Sequence, residues 1–192
     1  MNFETSRLQL REFTSADGAA VFAYHSTASY QRFYPHAGST PADAQALVER
    51  FIQWQKEKPR WRFQWAVTQL NQSEQNRNQQ NPLSLIGNCG IRRSTPGSLE
   101  AEIGCELAPQ FWGRNYPVEM GQFLLQFGFE QLGLERIFAH CIAQNRGAVF
   151  MAEKLGMKVE ERLPANVQIR AEWHDALIYG IHRQQWDSQR NL

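Results

Sequence analysis

Among its 192 residues the chain has only three cysteines and five histidines, and its formal net charge is +1. Each scarcity excludes something. Cys89, Cys105 and Cys141 each lie in an apolar, strand-like context and read as buried thiols of a reducing compartment, not as a disulfide frame. No Cys-x-x-Cys pair occurs and the histidines are scattered, so no metal site is expected. A net charge this small gives no general field for nucleic acid or acidic membrane, and no basic stripe supplies one. No apolar run approaches a membrane span, and no charged-then-apolar leader opens the chain. The expectation is a cytoplasmic protein without nucleic-acid or membrane partners, folded as one domain over residues 1–192 with no internal repeat. One stretch lacks apolar residues altogether. Residues 71–82 (N-Q-S-E-Q-N-R-N-Q-Q-N-P) cannot bury enough surface to order themselves and read as a flexible hairpin tip without assigned function.

Elsewhere apolar residues fall into blocks with the periods of strands and helices. Residues 7–13 (R-L-Q-L-R-E-F) alternate as a half-buried strand does. Thr14 or Ser15 caps a helix to about Ser26, with Val21, Phe22 and Tyr24 as its apolar surface. Residues 29–41 mix Tyr30, Phe33 and Tyr34 with Pro, Gly and Ser and read as a loop. Thr40-Pro41 opens a second helix to about Lys56, with Leu47, Phe51 and Trp54 on one face. Residues 61–70 and 83–93 are partner strands flanking the amide-rich tip, 95–98 a turn, and 99–107 the next strand. A long helix ends at Gly133, and residues 135–142 form a strand in a parallel crossover with the one before that helix. Asn145 leads a further helix to Leu155, closed by Gly156. Residues 157–162 and 173–181 are the last strands, joined by a polar loop.

The chain is organised around residues 107–132, where a strand end, a turn on Gly113 and Asn115, and an amphipathic helix follow without a spacer. Pro117 suits the first helical position, because its φ is already helical and its missing N–H would be unpaired anyway. That makes Tyr116 the expected N-cap, with Glu119 placed to bond back to it. The free N–H groups and dipole of such a helix start face the turn and favour an anion there.

In detail Gln110-Phe-Trp-Gly113-Arg-Asn115 resembles the Q/R-x-x-G-x-G/A acetyl-CoA loop of the GNAT acetyltransferases. The string W-G-R-N-Y-P-V-E is similar to the W-G-x-G-Y-x-x-E of the branch that contains the ribosomal-protein N-terminal acetyltransferases (RimJ/RimL-like). The opening T-S-R-L-Q-L-R, the strand L-I-G-N-C-G-I, the strand E-I-G-C-E-L and the stretch E-K-L-G-M also resemble that branch. The last loop glycine is Asn115 here; Asn tolerates positive φ, but its side chain adds bulk beside the pyrophosphate.

The resemblance implies an α/β GNAT fold, a mixed twisted sheet of about seven strands with helices on both faces. It implies acetyl transfer from acetyl-CoA to a primary amine in a direct ternary complex. The amine is a protein N-terminus by branch likeness, with a small polyamine, amino acid or antibiotic close behind. Backbone N–H groups of Gly113, Arg114, Asn115 and Tyr116 would hold the pyrophosphate. The strand end near Leu107 would splay from the strand after the helix and pair with the pantetheine amides, an N–H there facing the thioester oxygen. Asn145 matches the family's cofactor-side asparagine, though an N-cap role alone also fits. Glu102 and Glu106 share a strand face across Gly104; Glu102, the glutamate of the E-I-G strand, is the favoured base, ahead of Glu106, His140 and His174. The family's proton donor is missing, because its positions read Ala148, Val149, Phe150 and Met151, leaving water, Tyr116, Tyr179 or a residue outside the motif. A CoA-binding sensor or scaffold that has lost turnover is therefore the rival reading, and oligomeric state is not legible.

Overall fold

The structure, a computed structural model, describes residues 1–34, 40–70, 85–169 and 171–190. The amide-rich tract read as a hairpin tip lies outside the described residues. Eight strands are described: β1 (Phe3–Glu4), β2 (Leu8–Arg11), β3 (Arg62–Gln69), β4 (Gly87–Arg93), β5 (Glu100–Leu107), β6 (Arg136–Ile142), β7 (Lys158–Ile169) and β8 (Glu172–His182). Six helices accompany them: α1 (Gly18–His25), α2 (Ala28–Gln31), α3 (Pro41–Trp54), α4 (Tyr116–Gln126), α5 (Arg146–Lys154) and α6 (Arg183–Arg190). They form one sheet in the order β1-β2-β3-β4-β5-β6-β8-β7. Every neighbouring pair is antiparallel except β5 and β6, which α4 joins as a crossover. The strand beyond the expected seven is β1, a two-residue edge paired through Phe3 and Leu10.

Two apolar layers cover the two faces. Trp65, Ile91, Ile103 and Ile137 pack with Met120 and Leu124 of α4 and Met151 of α5. On the other face Ala66 and Ala108 meet Val21 and Tyr24 of α1 and Ala44, Val48 and Phe51 of α3. The buried stripe of α3 is thus Ala44-Val48-Phe51, with the expected Leu47 and Trp54 only flanking it. Arg62 lies 4.8 Å from the Trp54 ring, which lets that edge stay partly open. Thr40 and Asp43 form the capping box that starts α3.

Three expectations need correction. Residues 28–31, read as loop, make the short helix α2, capped by the Thr27 side chain accepting from the Tyr30 amide. The polar loop expected after residue 162 is the outer half of a long β7–β8 hairpin, paired from Val167–His174 to Ile169–Glu172 beyond a register shift. The polar residues alternate along an exposed edge strand, a pattern easily mistaken for loop composition. The cap of α4 is Asn115, not Tyr116.

Candidate active site

β5 and β6 pair only from Glu100–Arg136 to Glu102–Phe138 and then part. Beyond Glu102 the β6 side of β5 has no partner strand among the described residues, while its other side stays paired with β4 as far as Leu107. Alternation decides which groups face the opening. Leu99 O accepts from Glu135 N, towards β6, whereas Ala108 N donates to Ile86 O on the β4 side. The N–H and C=O groups of Ile103, Cys105 and Leu107 therefore turn to the gap. Leu107 O already accepts the Trp112 indole N–H at 2.7 Å.

The chain then reaches α4 through a tight turn in which both Gly113 (φ 75°) and Asn115 (φ 60°) are left-handed. Asparagine is the side-chain-bearing residue best suited to that region, so the turn survives without its last glycine. Asn115 O accepts from the amides of Val118 and Glu119. Among the described residues no hydrogen bond is donated by the amides of Gly113, Arg114, Asn115 or Tyr116. A clamp from the chain's beginning orients this turn. Arg7 donates through Nε to Glu119 Oε2 at 2.7 Å and through Nη1 to Arg114 O at 3.0 Å. Thr5, Ser6 and the Arg7 amide also donate to Glu119. Glu119 is thus tied to the β1–β2 turn and does not bond back to the cap as expected. With the Arg114 carbonyl drawn to Arg7, a cluster of free N–H groups remains, as an anion site needs.

A cavity of about 840 Å³ opens beside the turn, lined by Leu107, Trp112, Gly113, Pro117 and Asn145 among others. A second, of about 860 Å³, lies over the sheet and is lined by Gln64, Asn88, Arg92, Glu102, Glu106 and His140, with Trp173 and Tyr179 also on its wall. The two share Phe33, Tyr34, Cys105, Asn145, Ala148 and Met151, so they meet where β5 and β6 part. Asn145 caps α5, its Oδ1 accepting from Ala148 N at 3.2 Å, and it lines both cavities together with Tyr34.

The two carboxylates of β5 have different surroundings. Glu106 Oε2 is 3.0 Å from His25 Nε2 and 2.8 Å from Asn88 Nδ2, and the Tyr24 hydroxyl donates to it at 3.5 Å. Burial pushes its carboxyl up, but these bonds and the charge of His25 bring it below the usual range. Glu102 is more open, with His140 Nδ1 at 3.6 Å. Gly90 makes the floor between them possible: a Cβ there would stand 2.0 Å from Gln64 Oε1.

The expected site residues are thus distributed unevenly. Leu107, Gly113 and Asn145 line the first cavity, and Glu102 the second. Asn115 lines a separate small cavity with Ser6, Arg7 and Lys154. Gln110 sits in an exposed 3-10 turn. Tyr116 is buried, its hydroxyl accepting from Gln69 Nε2 at 2.7 Å, so only its amide can serve the turn. Arg114 points its carbonyl at Arg7. His174 lies near Glu172, 4.0 Å away and on the same hairpin, and away from Glu102. Arg92, Gln64 and Asn88, not singled out from the sequence, also gather here, together with Tyr34 of the aromatic segment 29–41 that the resemblance places near the acceptor. Gln64 and Asn88 are buried polar residues in strands, a pattern the apolar period alone does not reveal. Among the described residues no group of side chains could hold a metal ion, and no helix is long and apolar enough to cross a membrane.

Unpaired amides at a left-handed turn, a parted pair of strands and a cavity running between them define an enzyme that binds an acyl carrier with a phosphate-bearing tail. The model of the acetyltransferase (GNAT) domain matches residues 7–158, and the chain belongs to that family. It is an N-acetyltransferase of the acetyl-CoA-using kind. An uncharacterised N-acetyltransferase of Bacillus subtilis, YnaD, is 27% identical over 187 residues, covering 97% of this chain and 100% of the relative. A GNAT acetyltransferase from Bacillus anthracis superposes with a TM-score of 0.77 at 24% identity, over 96% of this chain and 99% of its own. RimL, a ribosomal-protein α-N-acetyltransferase solved with coenzyme A, superposes with a TM-score of 0.79 at 15% identity, over 95% and 98%. At these identities the two structures speak to the fold.

Proposed function

We propose that the chain transfers acetyl from acetyl-CoA directly to a primary amine, a protein N-terminal amine before a small molecule. The observation that carries this reading is the parting of β5 and β6 beyond Glu102, with one cavity on the turn side and one on the sheet side meeting at Tyr34 and Asn145. Acetyl-CoA supplies the activated acyl group. The amides of Gly113, Arg114, Asn115 and Tyr116 bind its diphosphate, Gln110 and Asn145 flank it, and the strand edge at Leu107 aligns its extended arm.

Glu102 takes the proton of the incoming amine, directly or through water, because Glu106 Oε2 is already engaged by His25 and Asn88 and its carboxyl is held below the usual range. An α-amine, with a pKa of about 8, asks less of that base than a lysine amine near 10.4. This favours an N-terminal acceptor, which is also what the name of RimL describes for that protein. Tyr34 returns a proton on the carrier side. It touches both cavities and so reaches the place of the leaving thiolate, directly or through water. Direct transfer is supported by the thiols at the opening: burial pushes Cys141 up to about 11 and Cys105 to about 12, leaving little thiolate to form an acyl-enzyme.

One observation favours a second reading. The first turns of α5 offer Ala148, Val149, Phe150 and Met151 and no proton donor, which suits a CoA-binding sensor. Calorimetry with acetyl-CoA, followed by thiol release with a panel of amines, separates the two. An enzyme shows acceptor-dependent release, and Y34F and E102Q each lower kcat by about 10²-fold with unchanged acetyl-CoA affinity. Tight binding without acceptor-dependent release establishes the sensor.

A further inference from the structure

Arg92 stands apart from the other arginines of the sheet. Arg11 pairs with Asp17 at 2.6 Å, Arg136 with Glu100 at 2.6 Å and Arg162 with Asp175 at 2.6 Å, while Arg62 meets Glu57 and Arg93 donates to backbone carbonyls. Among the described residues Arg92 has no carboxylate within ion-pair distance, and its one hydrogen bond is a long 3.4 Å contact from Nη1 to Gln64 Oε1. It is nevertheless half-buried and part of the wall of the sheet-side cavity.

Its position is set by the register. Arg92 lies opposite Glu102 on the neighbouring strand, and its guanidinium reaches across Gly104, where a Cβ would be 3.1 Å from Nη2. The glycine is what lets the planar fork lie on the cavity floor. Of the carboxylates nearby, Glu106 is taken by His25 and Asn88, and Glu102 has His140 beside it. A half-buried cation without an ion-pair partner among the described residues, at the mouth of a gap, is a group waiting for an anion, and the guanidinium fork suits a carboxylate best.

Resting on the acetyl-transfer reading, we infer that Arg92 binds a carboxylate that the acceptor carries close to its reactive amine. Glu102 and Gly104 are two residues apart on an extended strand, about 7 Å. An amine held at Glu102 thus places a neighbouring carboxylate at Arg92. A free amino acid has this chemistry, and so does a peptide N-terminus with an acidic residue at its start. A polyamine does not, because its second cation would face Arg92.

Initial rates of thiol release from acetyl-CoA test this with matched acceptors: free amino acids against their carboxamides, and tripeptide amides beginning Ser-Asp against Ser-Asn. The expected result is a preference of about tenfold or more in kcat/KM for the carboxylate member of at least one pair, and the pair that shows it identifies the source. R92Q abolishes that preference while changing the rate with the neutral member less than about threefold. R92K, which keeps the charge but not the fork, retains part of it. Equal rates within every pair in the natural protein, or an equal loss on both members in R92Q, overturns the inference. Calorimetric titration of the CoA-loaded protein with the same pairs gives a readout independent of turnover. If no amine releases thiol, the transfer reading fails by itself. The titration then still decides on Arg92, by whether carboxylate-dependent binding is present and lost in R92Q.

Discussion

Asp17 serves two elements with one carboxylate. It accepts from Arg11 Nη1 at 2.9 Å and Nη2 at 2.6 Å, and from the Thr14 amide at 2.8 Å, so it ties β2 to the entry of α1. Burial pushes its carboxyl up, but the Arg11 bonds and charge and the Thr14 amide carry it below the usual range. A depressed native pKa means that the stabilisation is fully present above the unfolded value of about 3.9 and disappears as pH falls through the native one. D17N should therefore cost about 2–3 kcal/mol at pH 7, since it leaves Arg11 without its charge partner. The difference from the natural protein, followed by urea unfolding, should stay constant above about pH 5 and shrink steadily below about pH 4. A difference that persists undiminished at pH 2 would show that packing, not ionisation, holds this corner. The Thr14 cap was legible in the sequence because capping residues announce themselves locally. The partnership of Arg11 with Asp17 was not, since it depends on where β2 lies against α1.

At the scale of elements, the junction between β5 and α4 rests on a turn with two left-handed residues and a clamp from the chain's beginning. Two sequence stretches that carried the family resemblance, T-S-R and W-G-R-N-Y-P-V-E, turn out to be hydrogen-bond partners through Thr5, Arg7, Glu119 and the Arg114 carbonyl. Their pattern was readable, but their contact spans more than a hundred residues and no local rule reports it. The sequence also suggested that the Asn115 side chain would crowd the diphosphate. In the structure Asn115 lines the small cavity with Ser6, Arg7 and Lys154, and Gly113 lines the larger one. N115G should accordingly leave acetyl-CoA affinity within about twofold, a free-energy change below about 0.5 kcal/mol. N115V should weaken it about tenfold or more, because a β-branched residue resists the left-handed region by about 1–2 kcal/mol. Calorimetry on both variants checks this. Tighter binding by N115G, well beyond twofold, would return the asparagine side chain to the diphosphate.

Across the whole molecule, the fold was legible because its periods are strong: alternating strands, amphipathic helices, and positive-φ glycines at Gly133, after the π-helical turn Phe127–Gln131 that continues α4, and at Gly156 after α5. The site was legible only on its carrier side, where backbone geometry follows from glycine, asparagine and proline. Its acceptor side is assembled from side chains on β3, β4, β5, α1 and the segment after α2, and no short stretch contains it. That division has a thermodynamic consequence. The sheet is buried by apolar layers on both faces, one of which carries residues of β5 and β6 alike, yet the edges of these two strands part beyond Glu102. A ligand lying along the strand edge adds contacts between two strands that pair directly at only three positions. Any ligand that binds the native state alone stabilises it by mass action, about 2.7 kcal/mol at a hundredfold excess over Kd. For a chain of this length that raises the melting midpoint by about 5–10 °C. Acetyl-CoA should produce this rise, and hydrogen exchange should slow at the amides of residues 113–116 and along 103–107 together, since both sets face one ligand. Adenosine diphosphate, which has the diphosphate without the extended arm, should protect the turn and leave the strand edge exchanging as before. Protection confined to the turn with acetyl-CoA as well would mean that the strands part for another reason than to receive the carrier.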